Sequence, residues 1–356
     1  MDFTTIFTLL GSLALLMYGM KTLSEGLQKM AGPQLRNVLQ KMTANRFMGA
    51  ITGMFVTASI QSSTATTLMT VSFVNAGLLT LAQAISIILG AHVGTTVTAW
   101  IMSLGFSFDI GVVAYIAAFC GIILSYMKRH KNMGEFLFGM AFLFLGLVTL
   151  RKTGMAMELD KNPDVLEFFQ SFDHNSIWTI VIFLLIGTVL TLCVQSSAAI
   201  MAITMTLCST GVLPIELGII LVLGENIGTT ITSNIAALGA NVSARRTAFS
   251  HMFINVLGVF WVLCVLHPFF SLVCKIVGCD VELVNTDVNY AKENGSLVLA
   301  AFHSAFNVAN TLIMIWFVPQ IERIVSRVIK PKPEVEDEEK LRSEERRVGK
   351  GVDLGG

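Results

Sequence analysis

Long apolar segments alternate with short polar connections along most of this chain. Two segments, residues 49–75 and 178–210, are apolar at their ends but carry Gln-Ser-Ser in the middle. Seven uninterrupted segments are each near the about 20 residues that a membrane-spanning helix needs: residues 3–20, 82–105, 110–127, 133–150, 215–239, 248–272 and 296–318. The pattern predicts an all-α, polytopic membrane protein in which two helical segments are interrupted by polar residues.

Two amphipathic stretches are predicted to lie in the membrane surface rather than across it. In residues 21–46, apolar positions at helical spacing oppose Lys and Arg, and Pro33 separates two such stripes. In residues 160–172, Asn162 can cap a helix whose first residue is Pro163. The N-terminal apolar segment lacks a basic leader and a small-residue cleavage site, so we expect a first span and not a removed signal.

Composition supports a membrane protein and argues against soluble classes. Of the 356 residues, 54% are apolar and 13% are charged, about half the charged share of a soluble domain. So few polar residues cannot cover a soluble enzyme, and a net charge of zero gives no attraction to nucleic acid. The tail after Pro331 is nearly all charge, which predicts a solvated, disordered segment; part of it resembles a cloning remnant.

The sequence contains no motif for catalysis. It has no nucleophile–base set, no phosphate-binding Gly-rich loop and no His-Glu-x-x-His, so we expect neither enzymatic activity nor a cofactor. Four of the six cysteines lie in apolar runs and are typical of core residues. Cys274 and Cys279 flank a short polar connection, where a disulfide is an open alternative on an oxidising side of the membrane.

The two Gln-Ser-Ser segments belong to an internal repeat. Residues 53–105 align with residues 187–239 without gaps, and 19 of the 53 positions agree. The polar agreements are the informative ones, because apolar agreement between membrane segments is common. They include Gln61-Ser62-Ser63 with Gln195-Ser196-Ser197, Gly94-Thr95-Thr96 with Gly228-Thr229-Thr230, and Thr98 with Thr232.

The two copies are predicted to be inverted. If residues 49–75 cross the membrane, the copies are parallel; if they enter and leave on one side, the copies are inverted. We favour re-entrant hairpins, because a broken helix exposes backbone polar groups that can bind a ligand together with Gln and Ser. A straight span would instead bury the Gln and Ser side chains in mid-bilayer without such a role. Lys and Arg distribute 14 to 5 on either topology, which predicts a cytoplasmic C-terminus.

Each Gln-Ser-Ser tripeptide, at a hairpin tip, would open a second half-helix, and the two tips would meet near the midplane of the membrane with the substrate bound between them. A helix N-terminus attracts anions, and freed carbonyls with Ser and Gln oxygens suit Na⁺. The alternative is that these side chains only hydrogen-bond between packed helices. The candidate binding residues are Gln61, Ser62, Ser63, Thr64, Thr95, Thr96, Gln195, Ser196, Ser197, Glu225, Asn226, Thr229 and Thr230, with Na⁺ held by the two Gln-Ser-Ser tripeptides.

Two further features have a functional and a structural interpretation. An intramembrane carboxylate such as Glu225 is a functional candidate, and it could bind a cation or a proton or pair with Arg245 or Arg246. His92 and Asn226 occupy equivalent positions in the two copies of the repeat, and both are candidates for lining the cavity. The pairs His251/Asn255 and His303/Asn307 share one helix face each, and we favour helix bonding over metal binding for them.

With these motifs, the chain resembles the bacterial form of the type II sodium/phosphate cotransporter family, which has duplicated Gln-Ser-Ser motifs. The resemblance covers about residues 8–320 and extends to the two His-x-x-x-Asn helices. It implies inverted repeats, re-entrant hairpins and Na⁺-coupled symport of inorganic phosphate by alternating access in the plasma membrane. Departures from the family pattern occur at Thr64, Ala198, His92 and Glu225.

Other functions stay open on the same residues: transport of another small anion, phosphate export, a channel, or a membrane sensor. The expected partners are phosphate, Na⁺ and the lipid bilayer, with a homo-oligomer left open. The predicted units are residues 1–132 as the first repeat, 133–272 as the second, 273–320 as a polar loop and final span, and 321–356 as the charged tail.

Overall fold

The computed structural model describes residues 3–41, 45–173 and 176–331. Within these ranges the chain has no strand and forms fifteen α-helices, with short 3₁₀ turns at Leu159–Lys161 and Ile315–Phe317. The helices are α1 Phe3–Lys41, α2 Arg46–Ile60, α3 Ser63–Asn75, α4 Leu81–Ser107, α5 Gly111–Tyr126, α6 Lys131–Ala156, α7 Pro163–Gln170, α8 Ile177–Val194, α9 Ser197–Ser209, α10 Ile215–Ala236, α11 Val242–Cys264, α12 Leu266–Val277, α13 Val281–Thr286, α14 Val288–Met314 and α15 Val318–Val328. Residues 321–328, which the sequence assigned to the charged tail, are instead part of α15. Residues 332–356 of the predicted tail lie outside the described residues.

Seven helical stretches of the described chain are long and apolar enough to cross a membrane. They lie in α1, α4, α6, α8, α10, α11 and the run from α14 through α15. The all-α, multi-spanning prediction is therefore confirmed. The predicted span 110–127 is α5, whose 16 residues fall just short of that length, whereas α8 reaches it with 18 residues.

The first predicted surface stretch is wrong for residues 21–31, which belong to the candidate span Phe3–Ala31. Helix α1 runs unbroken from Phe3 to Lys41, through Pro33. Its apolar stripe packs against α6 instead of lying on the membrane: Leu23 is only 6% exposed, and a Cβ on Gly139 would lie 2.1 Å from the Leu23 nitrogen. This helix–helix surface outweighs the one hydrogen bond that proline removes. Residues 42–44 lie outside the described residues.

Two other predicted segments have different outcomes. The helix after Asn162 is confirmed as α7, with the Asn162 side chain accepting a hydrogen bond from the Asp164 N–H at 3.0 Å. The single span predicted at 248–272 is wrong, because Val265 leaves the helical conformation (φ −126°, ψ 29°) and divides the segment into α11 and α12. Cys274 and Cys279 are both free thiols.

Helices α1 and α6 pack antiparallel along a seam of glycines. Successive residues of α1 meet earlier and earlier residues of α6, in the pairs Leu16 with Gly146, Gly19 with Leu143, Leu23 with Gly139 and Gly26 with Phe136. Leu16 and Leu143, and likewise Gly19 and Gly146, are identical residues 127 positions apart (143 − 16 and 146 − 19), so a shift by 127 residues exchanges the first two pairs. An exchange of this kind between antiparallel helices is what a two-fold axis across them produces, as in inverted repeats.

Helices α2 and α4 run parallel, and α3 turns back between them. A Cβ on Gly90 would lie 1.7 Å from the Ala50 carbonyl oxygen, and one on Gly94 would lie 2.5 Å from that of Met54. Both pairs are 40 residues apart in the sequence (90 − 50 and 94 − 54). Because this separation stays constant along the contact, the two helices point in the same direction. Helices α2 and α3 consequently form a helical hairpin.

The second copy repeats this packing at the equivalent positions. A Cβ on Gly224 would meet the Leu184 carbonyl oxygen at 2.3 Å, and one on Gly228 would meet that of Thr188 at 2.5 Å. The repeat found in the sequence is therefore also a repeat of contacts, here between α8 and α10. Helix α14 contacts both copies, since Thr311 donates a hydrogen bond to the Leu89 carbonyl of α4 at 2.8 Å and the His303 Nε2 lies 3.4 Å from the Asn226 Oδ1 of α10.

Candidate substrate and ion site

Both Gln-Ser-Ser tripeptides form the same turn. Gln61 and Gln195 adopt left-handed backbone conformations, with φ of 52° and 55°, which is uncommon outside glycine. Ser62 and Ser196 then extend the chain and cap α3 and α9. In each copy the Ser Oγ accepts a hydrogen bond at 3.2 Å from the N–H three residues on. The turn therefore places a helix N-terminus at each tip.

The first tip is further held by threonines on its two helices. The Thr57 hydroxyl of α2 donates a hydrogen bond to the Thr66 hydroxyl of α3 at 2.9 Å, in a buried position. Residues nine positions apart would be about 13 Å apart along a straight helix. The contact therefore confirms that the chain reverses direction at Gln61 and Ser62.

The two tips meet at one polar cavity of about 80 Å³. Its lining contains eight of the thirteen candidate residues: Gln61, Ser62, Ser63, Thr64, Thr95, Gln195, Ser196 and Ser197. Met20, Thr98 and Ala198 complete the wall. The sequence predicted that the two copies of the motif would come together, and the structure places them in one cavity.

Main-chain donors and hydroxyls, not charged side chains, line this cavity. Ser63 and Thr64 begin α3, and Ser197 and Ala198 begin α9, so their N–H groups have no carbonyl partner within their own helix. Ala198 contributes no polar side chain, and only its main chain can bind a polar ligand. No residue of the described lining carries a formal charge. Two helix N-termini facing one cavity are suited to an anion.

Thr98 is a cavity residue that the sequence analysis did not select. Its hydroxyl donates a hydrogen bond to the Gln61 Oε1 at 2.9 Å, while the Gln61 Nε2 donates to the Ala58 carbonyl at 2.6 Å. Together these bonds fix the amide of the first tip. The signal was present in the sequence, because Thr98 and Thr232 agree between the two copies.

Glu225 lies beside this cavity, in an adjoining space of about 20 Å³ that also contacts Thr95, Thr98, Ser197, Asn226 and His303. The carboxylate is 2% exposed and accepts a hydrogen bond from the Thr204 hydroxyl at 3.2 Å. The alternative of an ion pair with an arginine of α11 is not what the structure has. Arg246 donates instead to the Ile329 and Ser326 carbonyls, and neither it nor Arg245 pairs with Glu225.

Three candidates are not brought to either cavity. The hydroxyls of Thr96, Thr229 and Thr230 donate to carbonyls in their own helices, at 2.7, 2.9 and 2.7 Å. Each carbonyl lies three or four residues earlier, so these side chains satisfy themselves along α4 and α10. Among the threonines of the two Gly-Thr-Thr motifs, only Thr95 lines the cavities.

The two His-x-x-x-Asn pairs make the helix bonds that were predicted. Asn255 donates to the His251 carbonyl at 2.9 Å, and Asn307 donates to that of His303 at 2.8 Å. The same helices also contact equivalent positions of the two copies. The Asn255 Nδ2 lies 3.1 Å from the His92 Nε2, and the His303 Nε2 lies 3.4 Å from the Asn226 Oδ1.

A larger vestibule of about 750 Å³ adjoins the cavity and shares the two tips with it. The other wall is α1, which contributes the two charged residues of the described lining, Lys21 and Glu25. The Lys21 Nζ lies 3.9 Å from the Glu25 Oε1, and both side chains are substantially exposed. An ion that reaches the tips through this vestibule passes the only charged residues in that described wall.

Comparison with known proteins gives consistent matches. YjbB of Escherichia coli strain K12, named as a candidate inorganic phosphate export protein, is 28% identical over 340 residues, which are 93% of this chain and 57% of YjbB. The chain thus spans a little over half the length of that relative. YqeW of Bacillus subtilis strain 168, which is uncharacterised, is 28% identical over 317 residues, 88% of this chain and 95% of YqeW.

Similarity to an animal transporter is confined to a shorter region. The human sodium-dependent phosphate transport protein 2B is 38% identical over 100 residues, which are 27% of this chain and 14% of that protein. No solved structure matches the chain. The model of the Na⁺/Pi-cotransporter family matches residues 15–152 and 167–274, which is well over half of the sequence. The chain belongs to the Na⁺/Pi-cotransporter family.

Proposed function

We propose that this chain is a secondary active transporter that carries inorganic phosphate across the plasma membrane with Na⁺. The observation that supports this proposal most directly is the cavity of about 80 Å³ in which two duplicated helix N-termini meet without a charged side chain in the lining. Membership of the Na⁺/Pi-cotransporter family supports phosphate as the anion and Na⁺ as the coupling ion. Phosphate binds between the tips, to main-chain N–H groups and to hydroxyls of Ser62, Ser63, Thr64, Ser196 and Ser197.

Sodium offsets the charge of phosphate in this site. The oxygens of Gln61 and Gln195, of the tip serines and of the broken helices are hard ligands that suit Na⁺. Each positive charge that moves inward gains about 2.3 kcal/mol per 100 mV of membrane potential. The number of Na⁺ ions that accompany one phosphate therefore decides the net direction of transport.

Alternating access follows if the two copies are inverted re-entrant units that rock against each other. The antiparallel packing of α1 on α6, with its exchanged pairs Leu16/Gly146 and Gly19/Leu143, supports that arrangement. The parallel packing of α2 on α4 and of α8 on α10 supports hairpins that double back at the tips. In the proposed cycle the vestibule beside α1 closes as an equivalent opening forms on the other side.

Phosphate export is the second candidate, and a specific observation favours it. YjbB, whose name proposes phosphate export, matches 93% of this chain. The same cavity serves both directions, because a carrier follows the sum of the gradients that it couples. Transport of another small anion is the further alternative, since helix N-termini and hydroxyls bind oxyanions in general.

Flux of radiolabelled phosphate in proteoliposomes tests the proposal. We expect saturable flux that follows the direction of an imposed Na⁺ gradient at fixed membrane potential, with excess sulfate competing weakly. Gln61→Ala and Gln195→Ala should each abolish the flux without loss of folded protein. Gln320→Ala, the same change on the exposed surface of α15, should leave it unchanged.

Three results would count against the proposal. Phosphate flux that ignores the Na⁺ gradient in both directions removes the coupling ion. Non-saturating, linear flux indicates a channel, and phosphate binding without any flux indicates a sensor. Wild-type flux in both Gln variants removes the two tips from the site.

A further inference from the structure

Glu225 is a buried carboxylate that lacks a charged partner in the described part of the molecule. It lies in the middle of α10, is 2% exposed and has the neutral hydroxyl of Thr204 as its hydrogen-bond partner. A carboxylate in a membrane interior is unfavourable unless a cation or a proton accompanies it. The first copy has Ala91 at the equivalent position, so this requirement belongs to the second copy alone.

The space beside Glu225 has the size and the ligands for one small cation. Its volume is about 20 Å³, and a space of about 10–15 Å³ measured in this way holds one water molecule. Five of its lining residues carry side-chain oxygens, namely Thr95, Thr98, Ser197, Asn226 and Glu225, and the rest of the wall is His303 and the apolar Ala99, Met102, Ala198 and Met201. Such a set of carboxylate, amide and hydroxyl oxygens is typical of sites for hard cations.

The geometry favours a metal cation over a proton. A proton bound to the carboxyl group needs an acceptor and no empty space, whereas Glu225 has an adjoining space and accepts a hydrogen bond from Thr204. The Asn226 Nδ2 donates a hydrogen bond to the Val222 carbonyl at 3.1 Å, so its Oδ1, which lies 3.4 Å from the His303 Nε2, is the amide atom that can bind a cation. Na⁺ is smaller than a water molecule and fits this space. We assign the site to Na⁺ and not to K⁺, which is about as large as a water molecule, because Na⁺ is the coupling ion of the proposed function.

We infer that Glu225, with Thr204, Ser197 and Asn226 around it, forms a Na⁺ site that is specific to the second copy. The site adjoins the phosphate cavity through Ser197, which lines both spaces. The assignment of its role in coupling rests on the proposed function, but Na⁺ binding itself does not require phosphate. A cation here would neutralise Glu225 and so remove a negative charge beside the N-terminus of α9, which strengthens anion binding at that tip.

Thermal unfolding of the purified protein in detergent, without phosphate, tests this site. NaCl is titrated against choline chloride at constant ionic strength, with KCl as a second series. We expect saturable stabilisation of the wild type by Na⁺ and not by K⁺, because a ligand that binds only the folded state stabilises it. Glu225→Gln should raise the half-saturating Na⁺ concentration at least tenfold, and Thr204→Val should raise it by a smaller factor.

The matched control is Glu216→Gln, the same chemical change at the start of the same helix. Glu216 accepts a hydrogen bond from Asn285 at 3.0 Å and lines neither of the two central cavities. This variant should keep the half-saturating Na⁺ concentration of the wild type. If Glu225→Gln does not fold, Thr204→Val carries the test alone, because its loss of one hydroxyl leaves the carboxylate in place.

The outcomes separate this inference from the proposed function. A wild-type Na⁺ midpoint in Glu225→Gln, or in Thr204→Val when only that variant folds, overturns the inference even if phosphate flux is normal. No stabilisation of the wild type by Na⁺ also overturns it, and points to a proton at Glu225. Absence of Na⁺-dependent phosphate flux in the wild type would instead refute the proposed function. A raised half-saturating Na⁺ concentration in Glu225→Gln would still establish the site.

Discussion

Replacing Gly90 by alanine tests how closely the first hairpin must approach α4. A Cβ at this position would lie 1.7 Å from the Ala50 carbonyl oxygen, whereas carbon and carbonyl oxygen approach to about 3.3 Å even in close contacts. The two helix backbones would have to separate by roughly 1.6 Å, the difference between these distances. The obstacle is backbone rather than a flexible side chain, so no rotamer change can relieve it.

The expected loss of stability can be worked out from two opposing effects. Overpacking a well-packed site costs typically 1–3 kcal/mol, and a backbone obstacle belongs at the upper end, about 3 kcal/mol. Alanine is favoured over glycine inside a helix by about 1 kcal/mol. Gly90→Ala should therefore lower the free energy of unfolding by about 2 kcal/mol or more. Separation of α2 from α4 also draws Gln61 away from Thr98, so phosphate flux should fall as well.

The repeat supplies a graded series for this experiment. At Gly224 the equivalent Cβ would meet the Leu184 carbonyl oxygen at 2.3 Å, so Gly224→Ala needs a shift of roughly 1 Å and should cost less. The matched control is Gly11→Ala in α1, where a Cβ would meet nothing within 4 Å. That variant should be neutral or more stable by up to about 1 kcal/mol.

The free energy of unfolding is measured by titration with sodium dodecyl sulfate. Phosphate flux is measured in proteoliposomes. The expected order of stability is Gly11→Ala, then Gly224→Ala, then Gly90→Ala. A Gly90→Ala protein as stable as the wild type would show that α2 and α4 do not approach as closely as described. Equal losses of stability in all three variants would also contradict a role for these backbone contacts.

Three further predictions concern the tip, the vestibule and a buried thiol. Thr98→Val removes the hydrogen bond to Gln61, so we expect stability to fall by about 1 kcal/mol and the phosphate KM to rise; Thr232→Val is the control, and equal effects from both would contradict the assignment. Lys21→Gln should raise the phosphate KM severalfold with kcat little changed, and the difference should shrink at high ionic strength; a change confined to kcat would contradict a steering role. Burial raises the pKa of the Cys279 thiol, so its thiolate fraction at pH 8 is reduced and alkylation, followed by mass spectrometry, should be slower in the folded protein than after unfolding; equal rates would exclude this effect.

The tips were predictable because their chemistry is local and occurs twice. A Ser that caps a helix acts on N–H groups within three residues, so Ser62 and Ser196 carry their structural role in their own sequence. Agreement of two ungapped copies then indicated that both tips serve one site. The left-handed backbone at Gln61 and Gln195 was not predictable in the same way, since nothing in a glutamine side chain favours that conformation.

The packing of α1 was not predictable, because it depends on α6, a helix that is distant in the sequence. An apolar stripe opposite Lys and Arg is the pattern of a helix on a membrane surface and also of a helix packed on another helix. In the structure α1 packs on α6 because glycines of α6, such as Gly139, let the two helices approach closely. Thr98 was missed for a simpler reason: it agreed between the copies but stood outside the Gly-Thr-Thr motif that drew attention.

The two copies share a backbone but differ in the side chains around the cavities. Both hairpins end in the same turn, and both make the same glycine contacts with the helix that follows. The side chains differ at Thr64 and Ala198, at Ala91 and Glu225, and at His92 and Asn226. We interpret this division through the proposed transport cycle. A carrier that alternates between two openings needs equivalent backbones, because each half must in turn make the contacts that the other half has just released. A coupling Na⁺ beside the phosphate has to be held only once, so the carboxylate that holds it need be present in one copy alone, and Glu225 is the one intramembrane carboxylate beside the cavity in the described chain.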